Sequence, residues 1–169
     1  MLSQDYRRQL EQIHTDDRWG VVGWTQGGYI NELRKQHNCD SVLDYGSGHG
    51  SLARWFYKNS VDIDLREYEP GIAAKSSLPT AADLVVCVDV MEHVEPEYVG
   101  DVLDHIQSLA RKCVYFSIDT APASRLLPDG RNAHLVQKPS KWWRKQLNAR
   151  WHPIKSWQDH AKFRYVALV

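Results

Sequence analysis

Val42-Leu43-Asp44-Tyr45-Gly46-Ser47-Gly48-His49-Gly50 is the stretch whose reading decides the fold. It reads as a buried strand running straight into a glycine-rich turn that opens a helix. Open α/β sheets use that arrangement to bring backbone and a helix N-terminus against a nucleotide-like ligand. The spacing of the glycines says more than their number. A dinucleotide fold calls for G-x-G-x-x-G, whose third glycine would fall at position 51, where this chain has Ser51. Here the glycines stand at 46, 48 and 50, with Asp44 two places before the first.

Two later segments follow in a consistent order. A second strand-like run over 61–69 ends at Tyr68-Glu69-Pro70. Glu69 lies about 20 residues past the loop, the spacing at which an acid at a strand end reaches ribose hydroxyls. Then Ala82-Asp83-Leu84-Val85-Val86-Cys87-Val88-Asp89 forms an apolar run bounded by acids, followed by Val90-Met91-Glu92-His93-Val94. The form D-x-G-x-G-x-G resembles motif I of the class I S-adenosylmethionine-dependent methyltransferases. D-V-M-E-H-V resembles the D-V-L-E-H segment that follows strand 4 in many small members. The phrases V-L-D-Y-G-S-G-H-G-S-L, D-L-V-V-C-V-D-V-M-E-H-V-E-P and L-P-D-G-R-N-A-H-L-V-Q-K-P, with Trp142-Trp143 after them, resemble short methyltransferases often encoded by bacteriophages. That likeness runs from about Trp19-Gly20 to the end of the chain.

The resemblance implies a Rossmann-like fold and S-adenosylmethionine as cofactor. Gly46, Ser47 and Gly48 would lie against the methionine part of the cofactor, and Asp44 would meet its ammonium. Glu69 would take both ribose hydroxyls, a bidentate role suited to a carboxylate. Asp89 and Val90 would begin the loop beneath the cofactor, and Tyr45, Gly50, Tyr68 and Met91 complete the expected cofactor set. The acid or amide that usually meets the adenine amino group after strand 3 has no counterpart here.

Methyl transfer from a sulfonium is an in-line displacement. Alignment alone can supply roughly 7–11 kcal/mol, and a general base adds about 10²–10⁴-fold where the acceptor must lose a proton. A cofactor pocket should therefore be easier to read than a base. The candidates on the acceptor side are Glu92, His93, Asp119, Asn132 and His134, which the fold places at the carboxyl ends of strands 4 and 5. His93 is expected to titrate near neutrality and so to take a proton.

At 169 residues the chain suits one domain, 1–169, with a helical segment over 1–38 and an active-site loop over 119–139. Its 43% apolar and 25% charged content is that of a soluble globular protein. No apolar run reaches the roughly 20 residues needed to cross a bilayer, and Met1-Leu2-Ser3-Gln4-Asp5-Tyr6-Arg7-Arg8 lacks a secretory apolar core. Cys39, Cys87 and Cys113 show no C-x-x-C spacing, which suits free thiols in a reducing cytoplasm. Eight histidines are scattered without close pairing, and no metal is expected.

A net charge of zero hides an asymmetry. Residues 61–110 carry two Lys/Arg against eleven Asp/Glu, a net of −9, whereas 121–169 carry ten against two, a net of +8. Trp142, Trp143, Trp151 and Trp157 are interleaved with those bases. Bases mixed with aromatics are what a nucleic-acid surface uses for phosphate contact and stacking, although at least one of Trp142 and Trp143 should face the core.

The hydrophobic periodicity predicts helices over 3–14, 28–37, from Gly50, 96–111 and 140–149. It predicts strands over 41–45, 62–68, 83–89, 113–118, 153–157 and 163–168. Four glycines over 15–28 read as breakers. Between Gly71 and Ala81 there is no room for both a helix and a strand, so the third strand of a full methyltransferase sheet should be reduced or missing. The alternation predicts a mainly parallel sheet with a C-terminal antiparallel hairpin turning at Gln158-Asp159-His160.

The leading function is methyl transfer to a small-molecule or nucleotide-type acceptor. A nucleic-acid methyltransferase using the basic C-terminal region is the alternative, and a non-catalytic cofactor-binding protein is a third reading. The chain has neither an N-P-P-Y-like segment nor a P-C nucleophile, which disfavours the familiar base methylations. Ser51 and the lack of a second mononucleotide half disfavour an NAD-dependent oxidoreductase.

Overall fold

The computed structural model describes residues 2–16 and 19–169. Six strands form one sheet: β1 (Ser41–Tyr45), β2 (Asp64–Tyr68), β3 (Ala82–Val88), β4 (Ala110–Asp119), β5 (His152–Asp159) and β6 (Lys162–Leu168). Their spatial order is β2-β1-β3-β4-β6-β5. The first four run parallel, and β6 lies antiparallel between β4 and β5. Among the described residues five α-helices accompany them: α1 (Gln4–Ile13), α2 (Gly23–Gln36), α3 (Ser51–Lys58), α4 (Val99–Leu109) and α5 (Ser140–Asn148).

Alternation along the strands sorts the core into two layers, because successive side chains leave a strand on opposite faces. Val42, Leu84, Val86 and Tyr115 pack with Ile30 and Leu33 of α2 and Leu52 and Phe56 of α3. Leu43, Val85, Cys87 and Phe116 pack the other way, on Leu103 and Ile106 of α4 and Trp143 and Leu147 of α5. With helices on both faces, β3 is buried at every position, as parallel strands in such folds are. All three cysteines are free and buried. Among the described residues no helix is long and apolar enough to cross a membrane.

The architecture is the expected Rossmann-like one, with the third strand missing. A single 3-10 turn, Ala73–Lys75, fills the space between β2 and β3, leaving β2 at the sheet edge. Boundaries differ most from expectation in three places. Helix α2 begins at Gly23, five residues before the predicted start, because its glycines are contact points rather than breakers. A Cβ on Gly27 would come within 2.2 Å of the Trp55 ring, so only glycine lets α2 approach α3 so closely. The 96–111 helix divides into a 3-10 turn, Pro96–Tyr98, and α4, which gives way to β4 at Ala110. The hairpin turn falls at His160-Ala161, since Asp159 and Lys162 still pair.

β1 is flanked by β2 on one side and β3 on the other. The chain leaves these strands in opposite directions across the sheet, which opens a crevice at their carboxyl ends. The glycine turn, Glu69 and the 89–93 segment all stand on that rim.

Candidate active site

The turn after β1 is held in a shape that side chains resist. Gly46, Gly48 and Gly50 have φ of +82°, +48° and +73°, in the left-handed region that favours glycine. A Cβ on Gly46 would also lie 2.3 Å from Cγ2 of Val90. The turn's N–H groups face inward. Gly46 and Ser47 both donate to the Tyr68 carbonyl at 2.8 and 3.0 Å, and Gly50 donates to Ser47 O at 2.9 Å. Gly48 N–H donates to Glu69 Oε2 at 3.1 Å. Lys75 clips the turn from outside, through Gly48 O at 2.9 Å and Glu67 Oε1 at 2.9 Å. A loop whose amides, that of His49 excepted, are spent internally offers no anion cradle. It offers close approach to bare backbone, which suits a neutral or cationic ligand.

Glu69 is buried and anchored, with Oε1 accepting the Gly71 N–H at 2.9 Å. Each oxygen keeps lone-pair capacity for a ligand hydroxyl. Asp44 is buried at the end of β1, and burial, with the Glu67 charge second, raises its carboxyl to about 7. Two spaces meet here. A slot of about 100 Å³ runs between Leu10, Tyr68, Glu69, Pro70, Val90 and Val102. A cleft of about 450 Å³ is lined by Asp44, Ser47, Asp89, His93, Asp119, His134 and Lys162. Gly46, Asp89, His93, Trp19 and Gly20 border both.

Helix α1 roofs the slot. Ser3 caps it by accepting the Tyr6 N–H at 3.1 Å and also donates to Glu95 Oε1 at 2.7 Å. Tyr6 donates its hydroxyl to the His93 carbonyl at 2.6 Å. The 119–139 loop closes the other side, its Leu127 and Ala133 packed on Tyr6 and Leu10.

Charge is concentrated in the cleft. Lys162 Nζ contacts Asp89 Oδ2 at 2.6 Å and Asp119 Oδ2 at 3.0 Å. Burial raises Asp89, and Lys162 only partly offsets this. Burial would raise Asp119 too, but the Ala121 N–H and Lys162 outweigh it and hold the carboxyl low. Glu92 is fully buried; Oε1 accepts the Asp119 N–H at 2.7 Å and Oε2 has no partner. Burial, then the Asp89 charge, raises its carboxyl.

The structure brings most of the predicted residues to these two spaces. Asp44, Tyr45, Gly46, Ser47, Gly48, Tyr68, Glu69, Asp89 and Val90 line one or both. Met91 instead packs in the core with no exposure, because the 3-10 turn over 91–93 points it inward. Gly50 caps α3 and approaches Glu67 rather than either space. On the acceptor side Glu92 is fully buried and lines neither space, whereas His93, Asp119 and His134 line the cleft. Asn132 does not: its Oδ1 accepts the N–H groups of Ala123 and His134, both at 3.0 Å, and its Nδ2 donates to Ala123 O. It organises the loop. His93 does not titrate near neutrality either, since burial, then the neighbouring His134, depresses it to about 4. It is a neutral ring at physiological pH and a weak proton acceptor.

Several site residues escaped the sequence reading. Lys162 reaches the cleft through the antiparallel register that pairs it with Asp119. Trp19, which packs edge-on against His93, and Lys75 were also missed. The histidines read as unpaired include His93 and His134, with ring centroids 4.8 Å apart, and His14 and His49, with centroids 5.7 Å apart.

A methyltransferase-domain family matches residues 25–162, and the chain belongs to that family, within the class I, S-adenosylmethionine-dependent methyltransferases. The fold agrees. The 1,6-didemethyltoxoflavin-N1-methyltransferase of Burkholderia thailandensis, solved with S-adenosylhomocysteine, is 15% identical with a TM-score of 0.67, covering 99% of this chain and 90% of that one. Magnesium protoporphyrin IX methyltransferase of Synechocystis, solved with S-adenosylmethionine, is 16% identical with a TM-score of 0.59, covering 87% and 80%. An O-methyltransferase family protein of B. thailandensis is 13% identical with a TM-score of 0.62; the match covers 90% of this chain but only 57% of that one. A search of curated proteins by sequence found no match.

Proposed function

We propose that the chain binds S-adenosylmethionine across the glycine turn and methylates a small-molecule or nucleotide-type acceptor in the larger cleft. The cofactor supplies an electrophilic methyl on a sulfonium. One observation carries the reading: the turn hides its N–H donors while Asp44, Asp89 and Asp119 ring the cleft beside it. That field suits a ligand carrying a sulfonium and an ammonium and disfavours a pyrophosphate.

On this reading Glu69 holds the ribose hydroxyls and Asp44 the ammonium. Gly46 and Gly48 leave room for the methionine backbone, and the apolar walls of the slot, Leu10, Tyr68 and Val102, take the adenine ring. The roof formed by α1 and the 119–139 loop excludes water and fixes the acceptor's approach. Trp19, Pro122 and His134 give the cleft its mixed apolar and polar wall. The likeness of residues 127–139 to short bacteriophage-encoded methyltransferases supports placement in that subfamily.

The nucleic-acid alternative draws less support. Trp143 and Trp151 are core residues, and Trp157 is engaged by Lys155 and Arg164, whose cations lie 4.7 and 5.9 Å from its ring centroid. Arg125, Arg131 and Arg150 are paired with acids of the same chain. Transfer of tritiated methyl into fractionated lysate tests the assignment. Label should enter the small-molecule pool; label confined to RNA or DNA would replace this acceptor class with nucleic acid.

A further inference from the structure

Two imidazoles of the cleft wall stand beside a buried carboxyl oxygen with nothing to bind. His93 Nδ1 lies 2.8 Å from the Ala133 carbonyl and His134 Nδ1 lies 2.5 Å from the Ala121 carbonyl. A carbonyl can only accept, so both Nδ1 atoms carry the proton. Both Nε2 atoms are then the positions left for a ligand, and neither has a hydrogen-bond partner among the described residues. Backbone carbonyls fix ring tautomers in this way around ligated metals. Glu92 Oε2 is the third group, fully buried and unpartnered.

Ligand atoms of these three residues all lie within 4.8 Å of one another. The centre of a triangle with 4.8 Å sides is about 2.8 Å from each corner, so a sub-ångström contraction reaches the roughly 2.0–2.2 Å of nitrogen and oxygen ligation. Charge balance points the same way. Lys162 pairs with Asp89 and Asp119, and no cation among the described residues pairs with Glu92.

We propose that Glu92, His93 and His134 form a divalent-cation site facing the larger cleft, with open positions that hold oxygen atoms of the methyl acceptor. Two imidazoles and one carboxylate favour a borderline ion such as Zn²⁺, Fe²⁺ or Co²⁺ over Mg²⁺. Three protein ligands leave coordination positions free, the pattern of a catalytic site rather than a structural one. The cation site stands on geometry alone; its tie to the acceptor rests on the function proposed above. It would narrow the acceptor to molecules that present hydroxyl or carbonyl oxygen.

Co²⁺ titration of chelator-stripped protein, followed by its visible absorption bands, tests the site. One equivalent should bind saturably in the micromolar range. His134→Asn keeps an N–H where Nδ1 stood and deletes Nε2, and Glu92→Gln keeps an acceptor for the Asp119 N–H. Each should weaken Co²⁺ at least tenfold. His160→Ala, in the exposed hairpin turn, should leave the titration unchanged. Calorimetry with S-adenosylhomocysteine should give affinities within twofold of wild type for both cleft variants, which certifies their folding and reads the cofactor assignment separately. Co²⁺ binding that is absent, or equal in wild type and both variants, would overturn the site. Acetohydroxamate, a small chelating oxygen donor, should shift the Co²⁺ bands; unshifted bands would overturn the acceptor-binding role.

Discussion

The two ends of the crevice are built on different principles. At the cofactor end the chain shapes a ligand surface from backbone, drawing on two short segments, 42–50 and 68–71. At the acceptor end side chains do the work, and they arrive from 89–93, 119, 134 and 162. The first end is rigid because every amide of the turn except that of His49 is tied down. The second is held by charges and rings whose balance depends on pH and on what is bound.

This contrast can be broken most forcefully at Gly46. Gly46→Ala forces a side chain into the left-handed region, about 1–2 kcal/mol, and drives a Cβ onto Val90, typically a further 1–3 kcal/mol. A loss of about 3–4 kcal/mol in urea unfolding, with S-adenosylhomocysteine binding abolished, is expected. An unchanged midpoint would show that the turn is not the rigid part.

Proton linkage at Asp44 comes next. Its folded pKa of about 7 stands above the ordinary 3.8. The folded protein therefore holds a proton that the unfolded chain has lost between those values, and the stabilisation is full below about pH 4 and lost as pH rises through 7. Unliganded protein should lose about 2–4 kcal/mol between pH 4.5 and 8. S-adenosylhomocysteine, whose ammonium favours the ionised carboxylate, should recover part of this and release a proton near pH 6.5, read by calorimetry in buffers of different ionisation enthalpy. Stability that is flat or rising over that range in Asp44→Asn and wild type alike would remove Asp44 from the account.

Lys162→Met sharpens the acceptor end. Breaking a buried ion pair costs about 3–5 kcal/mol, but Lys162 retains 30% side-chain exposure, so about 1–2 kcal/mol is expected after solvent screening. The loss should grow with pH as Asp89 ionises. Cofactor affinity should change less than threefold; a tenfold change would show that the two ends are one unit.

Legibility in the sequence follows the same division. The glycine turn, Glu69, the two-layer core and the missing third strand are carried by local patterns or by the length of a single segment, which a sequence displays directly. Helix α2 was misplaced because Gly23 and Gly27 look like breakers until Ser51 and Trp55 of α3 are seen against them. Lys162 and the pairing of His93 with His134 depend on strand register and on a loop folding back, and no short-range pattern encodes either. Asn132 shows the converse: a polar residue in the right loop whose hydrogen bonds are consumed in shaping it.

Calorimetric titration with S-adenosylhomocysteine of wild type, Glu69→Gln and Glu69→Ala tests the central claim most directly. Micromolar binding to wild type should weaken at least tenfold in Glu69→Ala and less in Glu69→Gln, which keeps an acceptor for the Gly48 and Gly71 amides. Equal affinity in all three folded proteins, or no binding to wild type, would contradict it.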